Sequence, residues 1–230
     1  MHQKALSNPS DPGLDLLAPV KADAIITLRR AAAGRPFRPL LFLGRQRSGQ
    51  TALLNDLARE AAGLGFAVSQ LSIHASSDFA RRLYSEIKAV LETLSRVDAA
   101  RAQALGGLKD LKSVEAAFGL DLAGAGLDAS PARSLEAFLP DLFEALGCAA
   151  EAAGTGWVLC FERFDRLAKG DLSALIAALH RISQTGLPVV LFGAGLPWLA
   201  GLAGDAKPYA ERLFRFIDLD EIGPMEGRSS

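Results

Sequence analysis

Two glycines, Gly44 and Gly49, enclose a short polar segment that Thr51 follows closely. Glycine lets a loop turn tightly, so that backbone N–H groups face inward and, with the N-terminus of a following helix, attract an anion such as phosphate. The hydroxyl of Thr51 is suited to bind Mg²⁺ beside that anion. We therefore predict a phosphate-binding loop formed by Gly44, Arg45, Arg47, Ser48, Gly49, Gln50 and Thr51.

This loop departs from the pattern GxxxxGK(S/T) at one fixed position, because Gln50 stands where a lysine is expected. A lysine places a positive charge against the β- and γ-phosphates of a nucleotide, whereas glutamine is neutral. The loss of one charge-assisted contact costs about 2–4 kcal/mol. Arg45 and Arg47 are candidates to compensate, since arginine binds phosphate well, although both are equally able to face solvent. The alternative is an ordinary strand–loop–helix junction with glycines.

A second set of polar residues follows the apolar run at 157–161. Glu162 is the candidate Mg²⁺ ligand, together with Thr51, because P-loop ATPases place a carboxylate at the end of a neighbouring buried strand. Arg163 stands where many such enzymes carry the glutamate that activates water, and arginine stays protonated and cannot act as a general base. Asp165 is the candidate substitute for that base. The alternative is that Glu162 and Arg163 form a surface cap on the strand.

The elements that must position these residues alternate along the chain. Short apolar runs predict buried parallel strands at 39–43, 66–73, 157–161, 187–192 and 214–219. Periodicity and composition predict helices at 21–33, 51–64, 77–115, 134–153 and 172–185. Alternation around a Gly-Ala-Gly turn predicts a β-hairpin at 116–130. The predicted fold class is α/β, a three-layer sandwich with a mostly parallel central sheet.

Composition limits the classes of protein that fit. The chain has 230 residues, of which 50% are hydrophobic, and a net charge of -1, so we expect one folded domain and no binding of nucleic acid by charge alone. Two cysteines, Cys148 and Cys160, lack metal-ligand spacing. No apolar run is long enough to span a membrane, and the N-terminus has no signal peptide, so we expect a cytoplasmic protein. We predict a lead-in at 1–18, a domain at 19–224 and a tail at 225–230.

Three blocks, residues 38–58, 151–167 and 172–224, resemble bacterial AAA-type ATP-binding proteins related to the archaeal origin-recognition ATPases. The resemblance implies a P-loop domain that binds ATP or ADP with Mg²⁺ and acts as a switch or in an oligomer with other AAA-type subunits. It places Arg212 where an arginine reaches the phosphate of a neighbouring subunit, although Arg212 also suits an ion pair on a helix face. At 193–195, where relatives carry a sensor of the γ-phosphate, no polar side chain is present.

The resemblance also sets limits. Relatives continue into a helical lid and often into a DNA-binding domain. The resemblance therefore covers an AAA-like core that lacks the lid, and nucleic-acid binding is not carried over. Gln50, Glu162 and Arg163 all differ from the pattern of active ATPases, and the phosphate lysine and the water-activating acid are both replaced. We therefore expect weak hydrolysis or none.

Three hypotheses follow from these residues. In the first, the chain binds a nucleotide as a ligand or switch and hydrolyses it feebly or not at all. In the second, it is a scaffold that has lost the nucleotide and works through a protein partner, with 77–115 and 116–130 as candidate contact surfaces. The alternative for 77–130 is an insertion that packs on its own domain. In the third, it is an active ATPase in which Arg47 replaces the lysine and Asp165 the base.

The site itself distinguishes the first two hypotheses. A pocket of nucleotide size on which Gln50, Thr51 and Glu162 converge favours a bound nucleotide. A pocket filled by side chains such as those of Arg47 or Arg163 favours the scaffold.

Overall fold

A central sheet of five parallel strands organises the protein, whose computed structural model describes residues 17–45, 48–72, 79–118 and 135–222. The strands are β1 (Leu40–Leu43), β2 (Ala67–Ser72), β3 (Trp157–Glu162), β4 (Val189–Gly195) and β5 (Arg215–Asp218). Their order across the sheet is β2-β3-β4-β1-β5, and every neighbouring pair is parallel. The predicted α/β class with a parallel sheet is therefore confirmed.

Eight α-helices in the described residues connect or flank the strands. They are α1 (Ala18–Ala32), α2 (Gln50–Gly63), α3 (Phe79–Leu94), α4 (Arg101–Phe118), α5 (Leu139–Ala152), α6 (Lys169–Thr185), α7 (Leu199–Ala206) and α8 (Ala210–Leu213). Short 3-10 turns lie at Asp98–Ala100, Leu135–Ala137 and Phe164–Arg166. None of the helices in these ranges is both long and apolar enough to cross a membrane.

Alternate residues of each central strand point to opposite faces of the sheet, and both faces are buried. One apolar cluster contains Leu41 of β1 with helices α3 to α8, and the other contains Leu40 and Phe42 of β1 with α1 and α2. β1 and β4 are buried along their whole length. The result is three layers, with helices above and below the sheet.

The element boundaries differ from the sequence-based predictions for local reasons. β4 continues to Gly195 instead of ending at residue 192, because the small residues after it are buried but give little hydrophobic signal. α5 begins at Leu139, after a 3-10 turn, with proline in its first turn, where the missing N–H is not needed. The helical region at 77–115 is two helices, α3 and α4.

The predicted hairpin at 116–130 is wrong where the structure describes it. Residues 116–118 are the last turn of α4. The remainder of that segment lies outside the described residues.

Two aromatic side chains fix the end of β3, which matters for the site. Phe164 has no exposed surface and packs edge-on against Phe161, with ring centroids 5.1 Å apart. Phe214 lies on its other side, at 6.2 Å. The turn after β3 is therefore anchored in the apolar core by Phe164, while the neighbouring polar residues stay near the surface.

Candidate functional site

The predicted phosphate-binding loop connects β1 to α2 at the carboxyl edge of the sheet. β1 lies between β4 and β5, and Gly44 continues the pairing by donating its N–H to the carbonyl of Gly195 at 3.2 Å. Gly49 has a φ of 82°, the left-handed region that favours glycine. Among the described residues, no side chain caps the N-terminal N–H groups of α2. Arg47 lies outside the described residues.

The first turn of the loop fits a glycine alone. A Cβ at Gly44 would lie 2.6 Å from the Oγ of Ser48, so a larger residue would clash with the returning chain. The N–H of Ser48 donates to the carbonyl of Arg45 at 3.2 Å. The Ser48 hydroxyl is buried and has no hydrogen-bond partner among the described residues. An unpaired buried hydroxyl is unfavourable, and an anion oxygen inside the loop would satisfy it.

Gln50 directs its side chain back toward the protein. Its Nε2 donates to the carbonyls of Gly195 at 2.7 Å and Phe42 at 3.0 Å, and lies 3.4 Å from that of Gly44. A primary amide has two N–H groups, so the two shorter contacts use both of them. Gln50 thus joins the ends of β1 and β4, and its donors are taken by backbone carbonyls.

Glu162, the candidate Mg²⁺ ligand, pairs in register with Ser72 at the end of β3 and is half-buried. It lines a cleft of about 190 Å³ together with Asn55 of α2. Thr51 is exposed and lies four residues before Asn55, hence on the same face of α2. Thr51 itself does not line this cleft. In the described ranges, no group of three or more acidic, histidine or cysteine side chains could hold a metal ion. Burial raises the pKa of the Cys160 thiol in the wall of this cleft to about 12, so it is a neutral group there.

The residues after β3 are positioned by the turn that Phe164 anchors. Arg163 is exposed and has a φ of 56°, an uncommon conformation for a residue with a side chain. Asp165, the candidate base, accepts a hydrogen bond from the N–H of Leu196 at 3.2 Å. A Cβ at Gly195 would lie 3.0 Å from the same oxygen. Asp165 therefore connects the turn after β3 to the end of β4.

Arg212 lies on α8 and is exposed. Its guanidinium makes no ion pair with an acidic side chain in the parts of the chain that the structure describes. The ion-pair alternative from the sequence has no support there, and the expected role toward a neighbouring subunit stays a prediction.

Asp220 is a site residue that sequence reasoning missed. Both of its carboxylate oxygens lie 3.1 Å from the backbone N of Arg45, and Oδ2 lies 3.5 Å from Arg45 Nε. Asp220 follows β5, and no local pattern marks it, because its partner in the loop lies 175 residues earlier in the chain. The sheet order alone brings the two together, since β5 is the neighbour of β1.

Comparisons with known proteins describe the fold. No protein-family model and no curated protein matches the sequence. Among solved structures, Cdc6p from Pyrobaculum aerophilum is 14% identical with a TM-score of 0.50, over 93% of this chain and 47% of that one. ORC1 from Aeropyrum pernix in complex with DNA gives 16% identity and a TM-score of 0.45, over 92% and 47%. PCH-2 from C. elegans gives 13% and 0.40, over 93% and 44%.

The chain thus spans about half the length of the solved structures it resembles. At such identities the likeness concerns the fold alone. The fold is a three-layer α/β sandwich with a parallel central sheet, and it is similar to part of Cdc6p.

Proposed function

We propose that the chain is an AAA-like domain that binds ATP or ADP, hydrolyses ATP weakly or not at all, and works as a nucleotide-dependent switch or assembly module. The observation that carries the proposal is that the loop at the carboxyl edge of the sheet has space and unpaired polar groups. α2 begins without a capping side chain, Gly44 leaves space for the chain to fold back, and the buried Ser48 hydroxyl has no partner in the described residues. These features suit a phosphate group.

Weak hydrolysis follows from what the other side chains do. Gln50 carries no charge, and its amide donates to strand carbonyls instead of facing a phosphate. Arg163 cannot take a proton from water. One oxygen of Asp165 accepts the N–H of Leu196, which ties this carboxylate to the end of β4. Thr51 and Glu162 would hold Mg²⁺, which would neutralise phosphate charge, and the ion would need further oxygen ligands from the nucleotide and water.

The proposed switch uses the carbonyl of Gly195. That carbonyl accepts from the amide of Gln50 and from the N–H of Gly44, and the next residue, Leu196, is bonded to Asp165. A phosphate that draws the Gln50 amide away from the strand end changes the contacts of this segment. The segment leads into α7, which starts at Leu199, and we propose that the surface around α7 faces another AAA-type subunit. Arg212 is the residue proposed to face such a subunit.

The first test is calorimetric titration of ATP and ADP with Mg²⁺ into the wild type and Gln50→Lys. We expect weak binding by the wild type and binding at least about tenfold tighter by Gln50→Lys, because a charged contact is added. Ser48→Ala is the matched loop variant and should weaken binding by the wild type. Phosphate release should stay near background in the wild type. Rapid hydrolysis by the wild type would contradict the proposal.

The second candidate is a scaffold that binds no nucleotide and works through a protein partner. It is favoured by the contacts that the protein itself makes to the loop, namely the amide of Gln50 on the strand carbonyls and the carboxylate of Asp220 on the N–H of Arg45. The same titration separates the candidates. No binding by the wild type together with binding by Gln50→Lys would mean that the fold is kept and the ligand function lost, and would turn the search toward a protein partner.

A further inference from the structure

The loop and the turn after β5 are held together by a carboxylate. Asp220 accepts from the backbone N–H of Arg45 with both oxygens at 3.1 Å, and the Arg45 guanidinium approaches Oδ2 at 3.5 Å. A Cβ at Gly44 would lie 3.4 Å from Asp220 Oδ1, so the carboxylate also touches the first residue of the loop. The loop therefore already has an anion against its backbone and against its arginine.

Backbone contacts, and not the arginine, fix the position of this carboxylate. The N–H of Leu219 donates to the carbonyl of Leu43 at 2.7 Å, which ties the turn to the end of β1. The N–H of Asp220 donates to Oδ1 of Asp218 at 2.9 Å. The side chain of Arg45, by contrast, is 86% exposed and free to rotate. Asp220 is thus a fixed anion, and Arg45 is the movable partner.

We propose that Asp220 is an internal counter-anion of the phosphate-binding loop, which holds Arg45 away from the nucleotide until phosphate competes for it. The inference rests on the proposed function, since it concerns regulation of the same site. With Gln50 neutral, Arg45 is the cation in the described part of the loop that can offset phosphate charge. The ion pair is exposed and hence weak, so a polyphosphate can break it.

The test uses four variants of the full chain at one fixed ionic strength. Asp220→Asn keeps an acceptor oxygen for the Arg45 N–H and removes the charge. Glu221→Gln is the control, because it makes the same change of charge at the next residue, which is exposed. Arg45→Gln and the double variant with Asp220→Asn complete the set. Each is titrated calorimetrically with ATP and, separately, with inorganic pyrophosphate.

We expect Asp220→Asn to bind both ligands about fivefold more tightly than the wild type, which corresponds to the loss of one exposed ion pair. Glu221→Gln should change affinity by less than about twofold, since exposed charges beyond direct contact are screened. Arg45→Gln should abolish the gain in the double variant. This dependence on Arg45 separates release of the arginine from a general reduction of negative charge.

The outcomes separate this inference from the proposed function. Equal affinities of Asp220→Asn and Glu221→Gln, in a protein that binds ATP, would overturn the inference alone. A gain that persists in the double variant would also overturn it. Absence of binding by every variant, with Gln50→Lys as a further sample, would overturn the proposed function and the inference with it.

Discussion

The interior of the sheet and the loops at its carboxyl edge are held in place by different kinds of contact. In the interior, Phe42 and Phe192 have no exposed surface and pack among many apolar neighbours of the same cluster. At the edge, Gln50, Asp165 and Asp220 each hold a loop through one or two directed hydrogen bonds. Interior stability is therefore spread over many apolar contacts, whereas the edge loops are held by a few directed contacts.

This difference explains how the fold can be kept when the residues at the candidate site change. The apolar contacts that build the sheet and its helical layers do not involve the predicted site residues Gln50 and Asp165. Gln50 and Asp165 bond to the protein's own backbone, so they keep the edge ordered without a ligand. The predictions below test this separation, from the largest expected effect to the smallest.

The interior should show the largest loss of stability. We expect Phe192→Ala to lower the free energy of unfolding by about 3–5 kcal/mol, because it removes a fully buried ring and leaves a cavity. Urea denaturation measures this change. Ile26→Ala, at a side chain that is 53% exposed, is the control and should cost less than about 1 kcal/mol. Equal losses for the two variants would contradict the packed interior.

Among the edge residues, Gln50 should contribute most to the free energy of unfolding. Gln50→Glu has almost the same shape but donates no hydrogen bond and faces carbonyl oxygens, so we expect a loss of about 2 kcal/mol in urea denaturation. Gln50→Lys restores donors at the same place and should lose less than about 1 kcal/mol. If Gln50→Glu is as stable as Gln50→Lys, the amide does not hold the strand ends.

Asp165 should contribute less, because it accepts a single hydrogen bond in the described residues. We expect Asp165→Ala to cost about 1–2 kcal/mol by leaving the N–H of Leu196 unpaired. Asp165→Asn keeps the acceptor oxygen and should cost about half as much. Amide exchange at Leu196 provides a local readout and should accelerate in Asp165→Ala. Unchanged exchange there would show that the contact is not formed in solution.

The smallest effect concerns Asp171, which lies in the first turn of α6 and is partly buried. Burial raises its pKa from 3.8 to about 6. The native state thus binds its proton more tightly than the unfolded state, so its contribution to stability is full below pH 3.8 and is lost as pH rises through 6.

A variant at this position makes the pH dependence measurable. Asp171→Asn should be more stable than the wild type at pH 7.5 by less than about 1 kcal/mol, since the carboxylate is partly solvated. The difference should shrink or reverse at pH 4, where the wild-type carboxyl is protonated in the native state. A difference that is equal at both pH values would contradict a proton taken up on folding.

Much of the architecture could be predicted because it depends on local patterns. The apolar run at 157–161 predicted β3, and β1 and β5 also lie within predicted ranges. The glycines of the loop predicted its place between a strand and a helix, where the structure has it. Hydrophobic period and turn residues suffice for these elements, since burial on both faces leaves little choice of residue type.

The contacts of the site could not be predicted in the same way. Whether Gln50 faces a phosphate or the carbonyl of Gly195 depends on a side-chain rotamer and on a strand far along the chain. The partners of Asp165 and Asp220 also come from other strands. The alternation that suggested a hairpin at 116–130 failed at 116–118, where helix α4 continues and local periodicity did not decide between the two structures.

The position of β1 in the sheet has a consequence for protein synthesis. Both neighbours of β1 come from the last part of the described chain, with Leu40 beside Phe192 of β4 and Arg215 of β5. A nascent chain that has left the ribosome only as far as α6 carries β1 without either partner strand. Such pairing over long sequence separation is slow and leaves apolar strands exposed meanwhile. The loop after β1 is therefore translated well before β4 and β5, the strands that hold β1 in the sheet.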